Sequence, residues 1–60
     1  MNNKIKELRL SQGWSRRDLA IKSGMTENYV YMIEAGRCNP TVKKLEAIAK
    51  CFGLTVKDLL

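Results

Sequence analysis

Two thiols and no imidazole are all that this chain offers toward metal or nucleophilic chemistry. Cys38 and Cys51 stand thirteen positions apart in sixty residues that include no histidine. That set excludes paired Cys-x-x-Cys zinc ligation, Cys2His2 fingers, histidine general-base catalysis and Ser-His or Cys-His triads. Neither an enzyme nor a metal or cofactor site is expected. Cys51 falls on an apolar helical register, where a thiol acts as a small hydrophobe. Cys38 falls in a loop open to solvent, and the sequence leaves the pairing of the two undecided.

What the chain offers instead is positive charge. Eleven Lys and Arg oppose six Asp and Glu for a net charge of +5, an excess that points to a polyanionic partner. A basic surface serving only solubility is the plain alternative. Sixty residues hold one small core, so residues 1–60 are expected to form a single domain without a deep pocket for a small-molecule ligand. The 45% hydrophobic and 28% charged composition is that of a globular chain,. Residues 1–7 lack the apolar stretch of a signal peptide and no run approaches the ~20 residues of a membrane span, so a cytoplasmic location away from membranes is expected.

Helix-start and helix-stop residues punctuate the chain, with no sustained alternation to mark a strand. A first helix is predicted from about Asn3 to Gln12, carrying Ile5 and Leu8 on one face and stopping at Gly13,. Ser15 with Asp18 three residues later makes a capping box, and Trp14 can staple onto Leu19, opening a helix that ends near Lys22 at Ser23-Gly24,. Thr26 caps a third helix, with Met25 stapled onto Val30, which carries Val30 and Ile33 inward and stops at Gly36,. After the loop Arg37-Cys38-Asn39-Pro40, Thr41 caps a fourth whose Val42, Leu45, Ile48, Ala49 and Phe52 form an apolar stripe facing the core, closed by Gly53,. Leu54 through Leu59 repeat the staple and the capping box and open a fifth,. The fold class is all-α, a compact bundle of five short helices. Its centre, Ser15 to Gly36, has the small Ala20 and the turn glycine that a closely packed helix-turn-helix needs, although an ordinary αα-hairpin fits the same pattern.

The chain resembles the Cro and phage-repressor type of helix-turn-helix domain, the XRE family with its lambda repressor-like fold. The likeness runs through Ile5-x-x-Leu8-Arg9, Gly13-Trp14-Ser15, Leu19-Ala20, Gly24-Met25-Thr26, Val30, Ile33-Glu34-x-Gly36, Asn39-Pro40, Leu45-x-x-Ile48-Ala49 and Leu59-Leu60. It implies a regulator, in the expected case a repressor, that binds double-stranded DNA with the helix from about Glu27 to Ala35 in the major groove. Glu27, Asn28 and Met32 match the family's base-reading positions. Asn28 suits adenine, since an amide pairs bidentately with N6 and N7, and Glu27 either accepts from cytosine N4 or only complements the helix dipole. Met32 either meets a thymine methyl or fills the core. Tyr31 shares the face of Glu27 and Asn28 and is assigned to the groove, whereas Tyr29 stays open. Ser15 and Arg16 match positions that approach the phosphate backbone, with Arg17 as a neighbour that helps or is merely solvated. Arg37, Asn39 and Thr41 surround the next helix start, where side chains and N–H groups can meet a phosphate. Lys43, Lys44, Lys50 and Lys57 are read as a solvated face.

The matching family positions also imply an ion pair between Arg9, inward on the first helix, and Glu34, beside Ile33; unpaired, each would be an uncompensated charge. Subunit contacts of a homodimer are placed in the carboxyl-terminal region, where Leu54, Val56, Leu59 and Leu60 offer more apolar surface than a short helix buries. Glu27 and Arg16 depart from the residues usual at their positions. Those departures leave room for an alternative, a protein-interaction or antitoxin-type module with the same fold.

Overall fold

Ser15 shows how these helices begin. Its Oγ accepts the Asp18 N–H at 3.0 Å while its own N–H donates to the Asp18 carboxylate at 2.8 Å, so two backbone donors that a helix start leaves without partners are satisfied reciprocally. In the computed structural model, which describes residues 3–60, this box opens α2 (Arg16–Ser23). Thr26 opens α3 (Glu27–Glu34) and Thr41 opens α4 (Val42–Cys51), each hydroxyl accepting an N–H three residues on. α1 (Ile5–Ser11) and the one-turn α5 (Val56–Leu59) complete an all-helical chain with no strand among the described residues.

Gly24 shows how they end. At φ +73° it carries the chain through the left-handed region, its N–H donates to the Ile21 carbonyl, and the Met25 N–H reaches back to Ala20 at 2.9 Å. This is the Schellman closure, and it sets the turn between α2 and α3. The same pair of bonds recurs after α1, α3 and α4, ending at Trp14, Arg37 and Leu54.

Some boundaries and faces differ from those expected. α1 begins at Ile5 rather than Asn3, because the Asn3 carboxamide accepts the Ile5 N–H and donates to the Ile33 carbonyl; it is a tether outside the helix. Gln12, Ala35 and Phe52 are cap residues one step beyond their helices. Val42, expected on the buried stripe, is 66% exposed, since the first position of α4 points away from the packed face. Thr55 forms half a capping box, its N–H and hydroxyl both donating to Asp58. Cys38, expected at the surface, is half-buried against the core, and both cysteines are free thiols.

The core is Ile5, Leu19, Ala20, Val30, Ile33, Leu45, Ile48, Ala49 and Leu59. α2 packs on both α3 and α4, and α4 on α5. Leu59 is completely buried and its carbonyl accepts the Lys4 N–H at 2.8 Å, so α5 docks beside the start of α1. Trp14 stacks on Phe52 with ring centroids 5.1 Å apart, which covers the end of α4.

Arg9 is a charged residue buried at the edge of this core. Its Nε donates to Glu34 Oε2 at 2.7 Å, its Nη2 to Oε1 at 3.3 Å and its Nη1 to the Trp14 carbonyl at 2.7 Å. The two side chains are 7% and 2% exposed, and no buried side-chain polar atom among the described residues lacks a partner. This bidentate pair ties α1 to the end of α3.

Breaking that pair should be expensive. Arg9→Met and Glu34→Leu are each expected to cost about 3–5 kcal/mol, because each removes one half of a buried ion pair, while the double variant loses far less than their sum. Melts of all three proteins decide it, and additive losses would mean that the two residues do not act as a pair. A second expectation concerns Asp18, whose carboxyl lies below its ordinary value of 3.8 chiefly through the Ser15 N–H bond. Because the folded value is lowered, the stabilisation is complete above the ordinary value and disappears as pH falls through the folded one. Asp18→Asn should therefore melt below wild type near pH 6, and the gap should close as pH drops below about 4; a gap independent of pH would exclude the carboxylate's role.

Candidate nucleic-acid interface

α3 turns Val30 and Ile33 into the core, which leaves the opposite side of the helix to solvent. Residues three and four apart lie above one another on a helix, so Glu27, Asn28, Tyr31 and Glu34 run along one edge. Glu27 and Asn28 are exposed in the first turn, where the acidic Glu27 also complements the helix dipole,. The Asn28 Nδ2 contacts the Met32 sulfur at 3.7 Å, which places the half-buried Met32 one turn behind it on the same side of the helix.

Arg16, the first residue of α2, lies across that edge. Its Nε donates to Glu34 Oε1 at 3.2 Å, and its guanidinium carbon sits 5.1 Å from the centre of the Tyr31 ring. Glu34 thus serves two arginines at once. The Arg16 side chain remains 38% exposed, and Arg16, Glu27, Asn28 and Tyr31 together line a shallow concavity open to solvent. A planar cation, an amide, a phenol and a carboxylate converge there, a set that can donate to base edges and phosphates and accept from an exocyclic amine.

The remaining candidates do not line the concavity. Ser15, Arg17, Arg37, Asn39 and Thr41 are all exposed. The Ser15 and Thr41 oxygens already accept helix N–H groups, so each hydroxyl keeps its own hydrogen for an outside acceptor. The backbone N–H of Arg37 is used by the closure of α3, which leaves its side chain as the available donor.

The pattern of residues did not disclose the Arg16 bond to Glu34 or its stack on Tyr31. The signal available was the spacing of Tyr31 and Glu34 by three, which puts a ring and a carboxylate on one helical edge, but that does not say which helix crosses it. Nor did it disclose Lys44, read as solvated, over the ring of Tyr29, left open, at 5.2 Å. Lys22 similarly covers Trp14 at 4.9 Å. Burial pushes the Cys51 thiol up, with nearby Lys22 opposing weakly, and its S–H donates to the Ala47 carbonyl. Among the described residues no group of three or more His, Cys, Asp or Glu could hold a metal ion. Among the same residues no helix is long and apolar enough to cross a membrane.

A helix-turn-helix family model, HTH_3, matches residues 5–59. An uncharacterized HTH-type transcriptional regulator of Methanocaldococcus jannaschii, MJ0272, is 36% identical over 59 residues, which is 98% of this chain and 89% of that protein. The HTH-type transcriptional regulator DdrOP3 of Deinococcus deserti is 35% identical over 95% of this chain, and the match spans 44% of its own length. Among solved structures, the restriction-modification controller protein C.AhdI from Aeromonas hydrophila aligns with a TM-score of 0.90 and 28% identity, covering 95% of this chain and 86% of that one. SinR, a master regulator for biofilm formation solved in complex with DNA, aligns with a TM-score of 0.84 and 31% identity, covering 90% and 87%. The likeness extends from α1 to α5 and includes the helix pair that carries the concavity: the chain belongs to the Cro/C1-type, or XRE, helix-turn-helix family.

Proposed function

We propose that residues 1–60 act as one DNA-binding domain of a cytoplasmic, non-enzymatic transcriptional regulator, a repressor, which inserts α3 into the major groove of double-stranded DNA. The observation that carries this reading is the concavity itself. It sets Asn28 and Glu27 in the exposed first turn of α3, beside Arg16, on a chain with net charge +5. The early residues of a recognition helix are the ones that reach base edges. Asn28 reads adenine, Glu27 accepts from cytosine N4, Met32 touches a thymine methyl, and Tyr31 joins them from the same edge. Arg16 clamps a phosphate with Ser15 and Arg17 on one side, and Arg37, Asn39 and Thr41 do so on the other. The relative solved with DNA supports the same use of the fold.

The regulator acts as a two-fold dimer with recognition helices about 34 Å apart. The subunit contact needs a correction, because Leu59 is buried within its own subunit. Leu54 and Leu60, 36% and 56% exposed, remain for it with half-buried Val56. Leu54 and Val56 line a groove between α4 and α5 flanked by Lys43, Glu46 and Lys50. Charges of both signs around an apolar centre suit a self-complementary contact.

Salt titrations on a selected operator and a scrambled duplex separate reading from clamping. Asn28→Ala should lose about 1–3 kcal/mol on the operator alone. Arg16→Ala should weaken both duplexes alike and make the slope of log affinity against log salt shallower by about 0.9 for each phosphate no longer neutralised. Equal loss on both duplexes for Asn28→Ala would end its base-reading role. Wild-type binding that ignores salt would favour the protein-interaction reading, to which the acidic Glu27 lends itself. Sedimentation should show a weak dimer that operator DNA reinforces; a strict monomer on one asymmetric half-site would remove the two-fold arrangement.

A further inference from the structure

We infer that Tyr31 is a positioning residue for Arg16, holding its guanidinium flat at the edge of α3 so that the outer nitrogens face the DNA backbone. This rests on the DNA-binding reading above and deepens it.

Arginine at the first position of a surface helix is ordinarily a flexible cation, and a partner that orders such a side chain does so against its rotamer freedom. Here two contacts from α3 restrict it before any partner arrives. Glu34 takes the Nε hydrogen at 3.2 Å, and the centre of the Tyr31 ring lies 5.1 Å from the guanidinium carbon. The carboxylate is 2% exposed, so it cannot swing out to follow the arginine. The bond at Nε ties one edge of the fork to Glu34, and the ring offers the cation a π face. The Nη hydrogens on the other edges of the fork are then the ones left for an outside acceptor.

Charge supports the same assignment. One carboxylate between two guanidinium groups leaves a net single positive charge in the cluster. Arg9 is buried with its Nε, Nη1 and Nη2 all hydrogen-bonded, so the surplus emerges at Arg16, the half-exposed member. Tyr31 is 39% exposed and lies between Glu27 and Glu34 on the helix edge. Its ring supplies a face for a cation without introducing a charge that would cancel it.

The test is a double-mutant cycle of Arg16→Ala and Tyr31→Ala, with Tyr31→Phe alongside, read as affinity and salt slope on a mixed-sequence duplex. Thermal melts first establish that all variants fold. Tyr31→Ala should weaken binding about two- to fivefold and make the salt slope shallower, toward that of Arg16→Ala. It should do nothing further once Arg16 is already alanine. Tyr31→Phe, which keeps the ring, should retain the wild-type salt slope on this duplex and recover most of the loss seen with Tyr31→Ala. In the free protein, Tyr31→Ala should shift the Arg16 Nε–H resonance and speed its exchange. Additive losses, a Tyr31→Phe loss as large as that of Tyr31→Ala, or an unmoved Arg16 resonance would each overturn the inference. Wild type that fails to hold the duplex would overturn the DNA-binding reading as well, whereas binding with additive losses overturns this one alone.

Discussion

The Glu34 carboxylate is almost wholly removed from water and cannot stay charged there without close cations. Arg9 arrives from α1 and Arg16 from α2, so a single group at the end of α3 determines how all three helices meet. Buried ion pairs contribute little net stability compared with an apolar pair of similar volume, but breaking one is expensive. The Glu34 cluster therefore acts mainly as a constraint on geometry. A slipped α3 would strand a charge in the core, whereas leucine and valine contacts tolerate sliding. Because Glu34 is three residues from Tyr31 and six from Asn28, fixing it also fixes the exposed edge along which they lie.

The rest of the fold is specified locally, as a domain of this size requires. With so little surface to bury, the chain cannot rely on its core to override poor helix ends, and its boundaries satisfy their own backbone groups. The Ser15 box and the Thr26 and Thr41 caps start helices, and Schellman closures stop four of them. In the α2–α3 turn this matters for the site, since Gly24 and Thr26 between them set the angle at which α3 leaves α2. Arg16 can cross α3 only because that turn places the first turn of α2 over the last turn of α3.

Helix order, caps and most of the core were legible in the sequence because each is written in residues close to one another. Ser15 with Asp18 and Val30 with Ile33 are local statements about hydrogen bonds and periodicity. Arg9 and Glu34 were legible for another reason: a charge placed on an apolar face requires a partner, and the resemblance indicated which. The failures were matters of tertiary context. Val42 and Leu59 have the same apolar character, yet one is exposed at a helix start and the other is enclosed where α5 meets the start of α1. Asn3 reads as a helix beginner, but the carbonyl of Ile33, thirty residues away, recruits its side chain. The stack of Arg16 on Tyr31 depends on the crossing of two helices, which no local pattern encodes.

The two groups given the most different roles are also held most differently in the free protein. Asn28 has only a thioether sulfur for its amide to approach, a weak acceptor that it can surrender at little cost. A base reader gains from this, because leaving the sulfur for adenine N7 gives up little contact within the protein, while a mismatched base returns nothing. Arg16 has a charged acceptor and an aromatic face, partners it has no reason to release when a phosphate approaches its outer nitrogens. A phosphate clamp gains from that rigidity, since ordering it on binding would subtract from every encounter, specific or not. In the proposed function, loosely held discrimination beside tightly held attraction would separate selectivity from affinity in one concavity. The two acceptors, sulfur for Asn28 and carboxylate for Arg16, are the physical basis of that proposed difference.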